Sequence, residues 1–183
     1  MLERIIPFSH KKLLEVVDKN SIVVDATCGN GNDTLFLCSN VKYVYGFDIQ
    51  KEALQNTKTL LDFNNKSNYE LILDGHENIK KYIHQPIDAV IFNLGYLPSF
   101  DKTITTMSDT TLTAISDSLD LIKVNGLVII TIYTGHENGL NESVDVYNYA
   151  KSLNSKFFNV LKYEFINKVK SPYIIIIEKT KDV

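Results

Sequence analysis

Tryptophan is absent from the 183 residues, and cysteine, methionine and proline are scarce at two, two and four. Two cysteines cannot build a disulfide framework. Cys28 and Cys38 also lack the paired spacing and neighbouring histidine of a zinc site, so no metal is expected and both read as free thiols of a reducing compartment. With only four prolines and eight glycines, no stretch has the composition of a linker, and one domain spanning 1–183 is expected. No apolar run approaches the length of a bilayer span. The first residues, MLERIIPFSHKKLL, lack the apolar core and small-residue cleavage site of a secretory leader, so no membrane partner and a cytoplasmic address are expected. Neither charge sign dominates. With 19 basic and 22 acidic residues and a net charge of −3, a polyanionic partner would have to be met by a local patch, not by the field of the whole molecule. No internal repeat or low-complexity segment is present.

What the chain does have is apolar residues, 44 % of the total, arranged in short runs bounded by turn residues. Runs at 22–26, 41–47, 69–73, 87–92, 127–133, 158–165 and 173–178 read as seven strands. Between them, helical spacing covers 11–18, 34–39, 51–64, 109–122 and 142–153. Strand alternating with helix predicts an α/β fold, a mostly parallel seven-stranded sheet with helices on both faces, because each right-handed crossover buries a helix against the sheet. Only INKVKSP separates the last two strands, which are therefore expected to form an antiparallel C-terminal hairpin. Runs such as AVIF and YIIII are apolar on both faces, as in strands covered by helices on each side.

The first strand runs into DATCGNGND. In open α/β sheets ligands lie beyond the carboxyl ends of the strands where the strand order reverses, and the first strand borders that crevice. Gly29 and Gly31 allow a sharp turn and a close backbone approach, and the helix that follows offers free N–H groups to a carboxylate. Asp48, ending the second strand in FDIQ, is placed to accept hydrogen bonds from both hydroxyls of an adenosine ribose; its competing role is a helix cap. A dinucleotide fingerprint would require a third glycine where Thr34 stands, and Asp25 would repel a pyrophosphate. Both features disfavour a nicotinamide oxidoreductase. They suit a ligand with an ammonium group, such as the amino-acid end of S-adenosylmethionine. Asp74, Gly75 and His76, in LDGHENI after the third strand, are candidates to line an adenine.

After the fourth strand comes IFNLGYLPSFDK, with Asn93 at the strand end and Tyr96 three residues on. Asn-x-x-Tyr here resembles the Asn-Pro-Pro-Tyr motif of amino methyltransferases, in which an amide oxygen accepts a hydrogen bond from the amine and the ring stacks on the base. Leu94 and Gly95 replace the two prolines. Methyl transfer from a sulfonium is an in-line displacement, so the protein mainly has to present an unprotonated lone pair and exclude water. The loop has no cysteine, which argues against covalent activation of a pyrimidine carbon and favours a heteroatom acceptor.

Taken together, DATCGNGNDT, FDIQ, FNLGYLP followed by DK, the threonine pairs 105–106 and 110–111, and YTGHENGLNE resemble small Firmicutes-type proteins labelled rRNA methylases, the YtqB or MnmM family, over nearly the whole chain. The resemblance implies a Rossmann-like class I methyltransferase that uses S-adenosylmethionine and acts on tRNA. It further implies that the acceptor is the amine of 5-aminomethyl-2-thiouridine at the anticodon wobble position, with the anticodon stem-loop as partner. The residues expected to bind the donor are Asp25, Thr27, Gly29, Asn30, Gly31, Asn32, Asp33, Thr34, Asp48, Gln50, Gly75, His76 and Asn93, with Asn93 and Tyr96 at the chemistry. The further blocks FSHKK and YTGHENG place His10, Tyr133 and His136 on the acceptor side. Lys11 and Lys12 beside His10, together with Lys102, Lys168 and Lys170, are candidate phosphate partners, since lysine contacts position an RNA without reading it.

A homodimer is compatible with the sequence. Methylation of ribosomal RNA or of a small molecule remains an alternative, as does a non-catalytic nucleotide- or RNA-binding protein of the same fold.

Overall fold

The computed structural model describes residues 1–94, 108–133, 137–168 and 171–183. The chain begins with helix α1 (Ile5–Leu14), then alternates strand β1 (Ile22–Asp25), α2 (Asn32–Asn40), β2 (Tyr43–Asp48), α3 (Lys51–Phe63) and β3 (Tyr69–Leu73). A single 3₁₀ turn (His76–Asn78) leads through the short α4 (Ile79–Tyr82) to β4 (Ile87–Leu94). The second half comprises α5 (Ser108–Leu121), β5 (Ile122–Ile132), α6 (Glu137–Ser152), β6 (Phe158–Tyr163) and β7 (Tyr173–Lys179).

The sheet has the order β3-β2-β1-β4-β5-β7-β6. Strands β3, β2, β1, β4 and β5 are mutually parallel. β7 runs antiparallel to β5 and to β6, which forms the edge. The expected α/β class and C-terminal hairpin are therefore observed. The hairpin also inserts its second strand, not its first, next to β5. That order follows from composition: β7 carries YIIII and is buried along nearly its whole length, whereas β6 is exposed at its centre.

Two apolar layers flank the sheet. On one face Leu13 of α1, Leu37 of α2 and Leu61 of α3 pack against Val23, Val44, Ile129 and Ile174. On the other, Ile79, Ala114, Ile115 and Val146 from α4, α5 and α6 pack against Val24, Phe47, Val90, Ile130 and Ile175. Burying each such aliphatic side chain contributes about 1.5–3 kcal/mol. Helix α3 shows how pattern fixes orientation. Its buried residues Ala53, Leu54, Thr57 and Leu61 form one stripe, and the charged residues face outward.

Several element boundaries differ from those the sequence predicts. The first helix spans Ile5–Leu14 instead of 11–18. Pro7 is its third residue, where a missing N–H costs nothing because the first-turn N–H groups have no intrahelical partner. β5 starts at Ile122 instead of Leu127: the polar IKVNG stretch joins the strand through an irregular register opposite Ile87 and Ala89. Asn125 takes a left-handed φ of 67° there. Gly126 is packed so closely that a Cβ would lie 2.7 Å from the Asp88 carbonyl oxygen. Helix α6 starts at Glu137, one turn before the expected 142. The 3₁₀ turn and α4 have no counterpart in the sequence reading, being too short to show a period.

Candidate active site

The strand order reverses between β1 and β4, and the carboxyl ends of β1, β2 and β4 carry Asp25, Asp48 and Asn93 to one edge of the sheet. From β1 the chain turns through Gly29 (φ 54°) and Gly31 (φ 78°) into α2. Both angles lie in the left-handed region that glycine enters without a steric penalty. A Cβ on Gly31 would lie 2.8 Å from the Thr57 Cα, so the turn is pressed onto α3. Thr57 donates its hydroxyl to the Gly29 carbonyl at 3.2 Å. Gly31 caps α2 without a side-chain bond, which leaves first-turn N–H groups of Asn32, Asp33 and Thr34 facing outward for an anionic group.

The three carboxylates differ in environment. Asp25 is fully buried; it accepts the Thr34 hydroxyl at 2.6 Å and the Thr27 N–H at 3.2 Å. Burial, and then the charge of Asp33, push its pKa up to about 7. Asp48 accepts the Gly29 N–H at 2.9 Å on one oxygen and the Gln50 N–H at 2.9 Å on the other, and burial raises its pKa. A carboxylate has about four acceptor positions, so Asp48 retains one on each oxygen for a pair of hydroxyls. Its capping role and its ligand role are thus compatible. Asp33 lies on the first turn of α2. It accepts the Asn93 side-chain Nδ2–H at 2.6 Å and His10 Nε2–H at 2.6 Å.

Asn93 is held twice more. Its backbone N–H donates to the Thr27 hydroxyl at 2.7 Å, and it is paired in register with Thr131 of β5. His10 stacks on Phe36, with ring centroids 3.7 Å apart and planes 6° from parallel. His10, Asp33, Asn93 and Thr131 line a small pocket under α1, whose floor is Leu13, Ile91 and Ile129. Tyr133, half exposed just past β5, borders the same region: burial and the Asp33 charge raise its pKa. His10 and Tyr133, expected on the acceptor side, and Thr27 of the turn, expected on the donor side, therefore come together around Asp33 and Asn93.

On the far side, His76 is buried and meets the Phe92 ring edge-on at 5.6 Å. Its Nδ1 lies 3.3 Å from the Ala26 carbonyl oxygen, which only accepts, so Nδ1 carries the proton. Burial lowers its pKa. Its Nε2 has no hydrogen-bond partner, which leaves a buried lone pair for a ligand N–H or O–H. Asp74 has less to offer, one acceptor position of about four. Its carboxylate is occupied by the Gly75 N–H, the Asn78 amide and the Tyr82 hydroxyl. Glycine backbone, free helix N–H groups, a carboxylate with spare acceptor positions and an orphaned imidazole nitrogen together fit an adenosine carrying an amino acid.

Lys11 and Lys12 point outward and pair with Glu3 at 3.0 Å and Glu15 at 2.8 Å. Lys168 lies over the Phe165 ring. Tyr96, Lys102, His136 and Lys170 lie outside the described residues. The sequence reading missed Thr57 and the bond from the Thr111 hydroxyl to Glu142 at 2.6 Å, which ties α5 to α6. The available signal was a polar residue at an apolar position of each helix. Among the described residues, no cluster of potential ligands could hold a metal ion, and no helix is long and apolar enough to cross a membrane.

A parallel sheet of this order with a reversed seventh strand, carrying a glycine turn after β1 and an acid at the end of β2, is the arrangement of class I methyltransferases, whose methyl donor is S-adenosylmethionine. The family described as "Putative rRNA methylase" matches residues 44–179, and the chain belongs to it. A chloroplastic tRNA (mnm(5)s(2)U34)-methyltransferase of Arabidopsis thaliana is 34 % identical over 182 residues, covering 92 % of this chain and 66 % of that protein. The chain thus spans just under two thirds of that relative's length. The crystal structure of a "putative rRNA-methylase" from Clostridium thermocellum superposes with a TM-score of 0.96 at 41 % identity, covering 98 % of this chain and 99 % of that one. A "putative methyltransferase" from Streptococcus mutans, in complex with S-adenosylhomocysteine (SAH), does so with a TM-score of 0.93 at 46 % identity and the same coverage.

Proposed function

We propose that the protein is an S-adenosylmethionine-dependent tRNA methyltransferase that N-methylates the amine of 5-aminomethyl-2-thiouridine at the wobble position of the anticodon. The observation that carries this reading is the bond pattern at Asn93. With its Nδ2–H given to Asp33, the amide oxygen is the end left to face an acceptor. Such an oxygen orients an N–H and has no use for an apolar carbon. The tRNA methyltransferase relative supports the choice of nucleoside.

In this reading Asp48 grips the ribose hydroxyls, and Gln50 stands beside it. The first-turn N–H groups of Asn32, Asp33 and Thr34 receive the amino-acid carboxylate, and Asp25 faces the ammonium group. Thr27, Gly29, Asn30 and Gly31 shape the turn. Gly75 and His76 meet the base, His76 through its free Nε2. When bound, S-adenosylmethionine supplies an electrophilic methyl carbon on a positively charged sulphur. The chain's own contribution is positional: the Asn93 oxygen accepts one N–H of the neutral amine and aligns its lone pair, and Leu13, Ile91 and Ile129 exclude water behind it. An alkyl amine is mostly protonated in water. Desolvation in the pocket and the positive charge of the donor sulphur lower its pKa so that the neutral form can be bound, against the opposing pull of the Asp33 carboxylate. Tyr96 stacks on the extruded uracil ring, while Lys11 and Lys102 contact phosphates and Tyr133 and His136 line the acceptor side.

The test is methylation in vitro of purified tRNA that lacks only this methyl group, followed by nucleoside mass spectrometry. The expected product is 5-methylaminomethyl-2-thiouridine. Methyl incorporation into ribosomal RNA with none into this tRNA would overturn the wobble assignment and leave a methyltransferase of another RNA.

A further inference from the structure

Asn93 presents two ends of nearly identical shape, a carbonyl that accepts and an amino group that donates. Which end faces the acceptor decides whether the site helps or hinders. An inward carbonyl takes an N–H and leaves the amine lone pair free to attack. An inward amino group would donate to that lone pair and occupy it. The backbone of β4 does not choose between the two, because the amide can rotate by half a turn about its last bond.

The choice is made by Asp33. Its carboxylate accepts and does not donate, and it lies 2.6 Å from Asn93 Nδ2. The same carboxylate takes His10 Nε2–H at 2.6 Å, so each of its oxygens holds one acceptor-side residue. Asp33 is itself held. It sits on the first turn of α2, where the helix dipole favours a negative charge, with only 18 % of its side chain exposed. The Phe36 ring beneath His10 fixes the third member. We propose that Asp33 is a positioning residue: it sets the amide orientation of Asn93 and the Nε2–H tautomer of His10, and so keeps the acceptor lone pair available. This rests on amine methylation as the reaction. It moves Asp33, expected among the donor-binding residues, to the acceptor side.

Asp33→Asn preserves shape but can meet only one of its two neighbours as an acceptor. Its expected effect is a fall in kcat of about 30-fold or more, with KM for tRNA and affinity for SAH changed less than about threefold. Asp33→Glu, which retains the accepting carboxylate, recovers part of kcat. Because Asp33 acts largely through Asn93, the Asp33→Asn, Asn93→Ala double variant loses clearly less than the product of the two single losses, with any excess over Asn93→Ala alone coming from the His10 arm. Additive losses, or a fall in SAH affinity matching the fall in kcat, would overturn the proposal. The second readout needs no RNA. In the SAH complex, the Asn93 side-chain NH₂ resonances move on Asp33→Asn substitution and largely return with Asp33→Glu; unchanged resonances overturn it. A parent protein that fails to methylate the wobble amine would overturn the assignment of the preceding subsection, while the amide spectrum still decides the role of Asp33.

Discussion

Asp48 shows how one side chain can serve structure and ligand together. Its two oxygens tie the glycine turn to the start of α3 by accepting the Gly29 and Gln50 N–H groups, and each retains a free acceptor position. Asp48→Ala removes the turn's tether as well as the proposed ribose contact. The expected outcome is at least a tenfold loss of SAH affinity by calorimetry, on the order of 1.4 kcal/mol or more. Unaltered affinity would show that the acid only caps the helix. The neighbouring histidine illustrates what sequence withholds at this scale. LDGHENI offers Asp74 and His76 equally, yet most of the acid's acceptor positions are taken by Gly75, Asn78 and Tyr82 while the imidazole keeps a free nitrogen. That distinction depends on partners four and eight residues away from Asp74 and on burial by β4, none of which a residue's identity reveals.

At the level of elements, the strand-turn-helix unit from Ile22 to Asn40 is the part most legible in sequence, because its signals are local. An apolar run, two glycines one residue apart and a resumed helical period lie within twenty positions. What sequence does not carry is the reason the second glycine is required. Gly31 touches the Thr57 backbone, 26 residues later, and also has a left-handed φ. Gly31→Ala therefore meets a steric and a conformational penalty together, expected to cost about 1–3 kcal/mol for the strained backbone alone. Thermal unfolding should show a lower midpoint, and SAH should recover little of it because the turn itself is displaced. A midpoint equal to the parent's would mean the turn relaxes freely. The same locality explains the misplaced boundaries. α1 hides its start behind Pro7, and β5 hides its first five residues in a polar stretch that becomes strand only by pairing with β4. The contact between His10 and Asp33 joins residues 23 apart in the chain, beyond the reach of any periodic pattern.

For the molecule as a whole, carboxyl groups buried near the donor turn make stability depend on pH. The native pKa of Asp25 is about 7 against an ordinary 3.8, so between these values the folded state binds more protons than the unfolded one. Stability from this group is greatest below about pH 4 and falls as pH rises towards 7. Asp48 acts in the same sense. His76, lowered from 6.5 by burial, acts in the opposite one, so a variant is needed to isolate Asp25. Denaturant unfolding of Asp25→Asn should show a shallower decline between pH 4 and 7 than the parent; parallel profiles would refute the assignment. The seven strands and the C-terminal hairpin were legible because seven apolar runs and the missing crossover before the last strand together specify them. The insertion of β7 between β5 and β6 was not, since that depends on which strand carries the more apolar faces.

The sulphur of Cys28 lies flat against Gly46, where a Cβ would come within 2.6 Å of it. Burial raises the pKa of this thiol well above its usual value, and that of Cys38 to about 11. Alkylating agents and peroxides react with thiolates, and neither sulphur supplies one near neutral pH. The close packing that shapes the glycine turn thereby also keeps its cysteine in the unreactive thiol form.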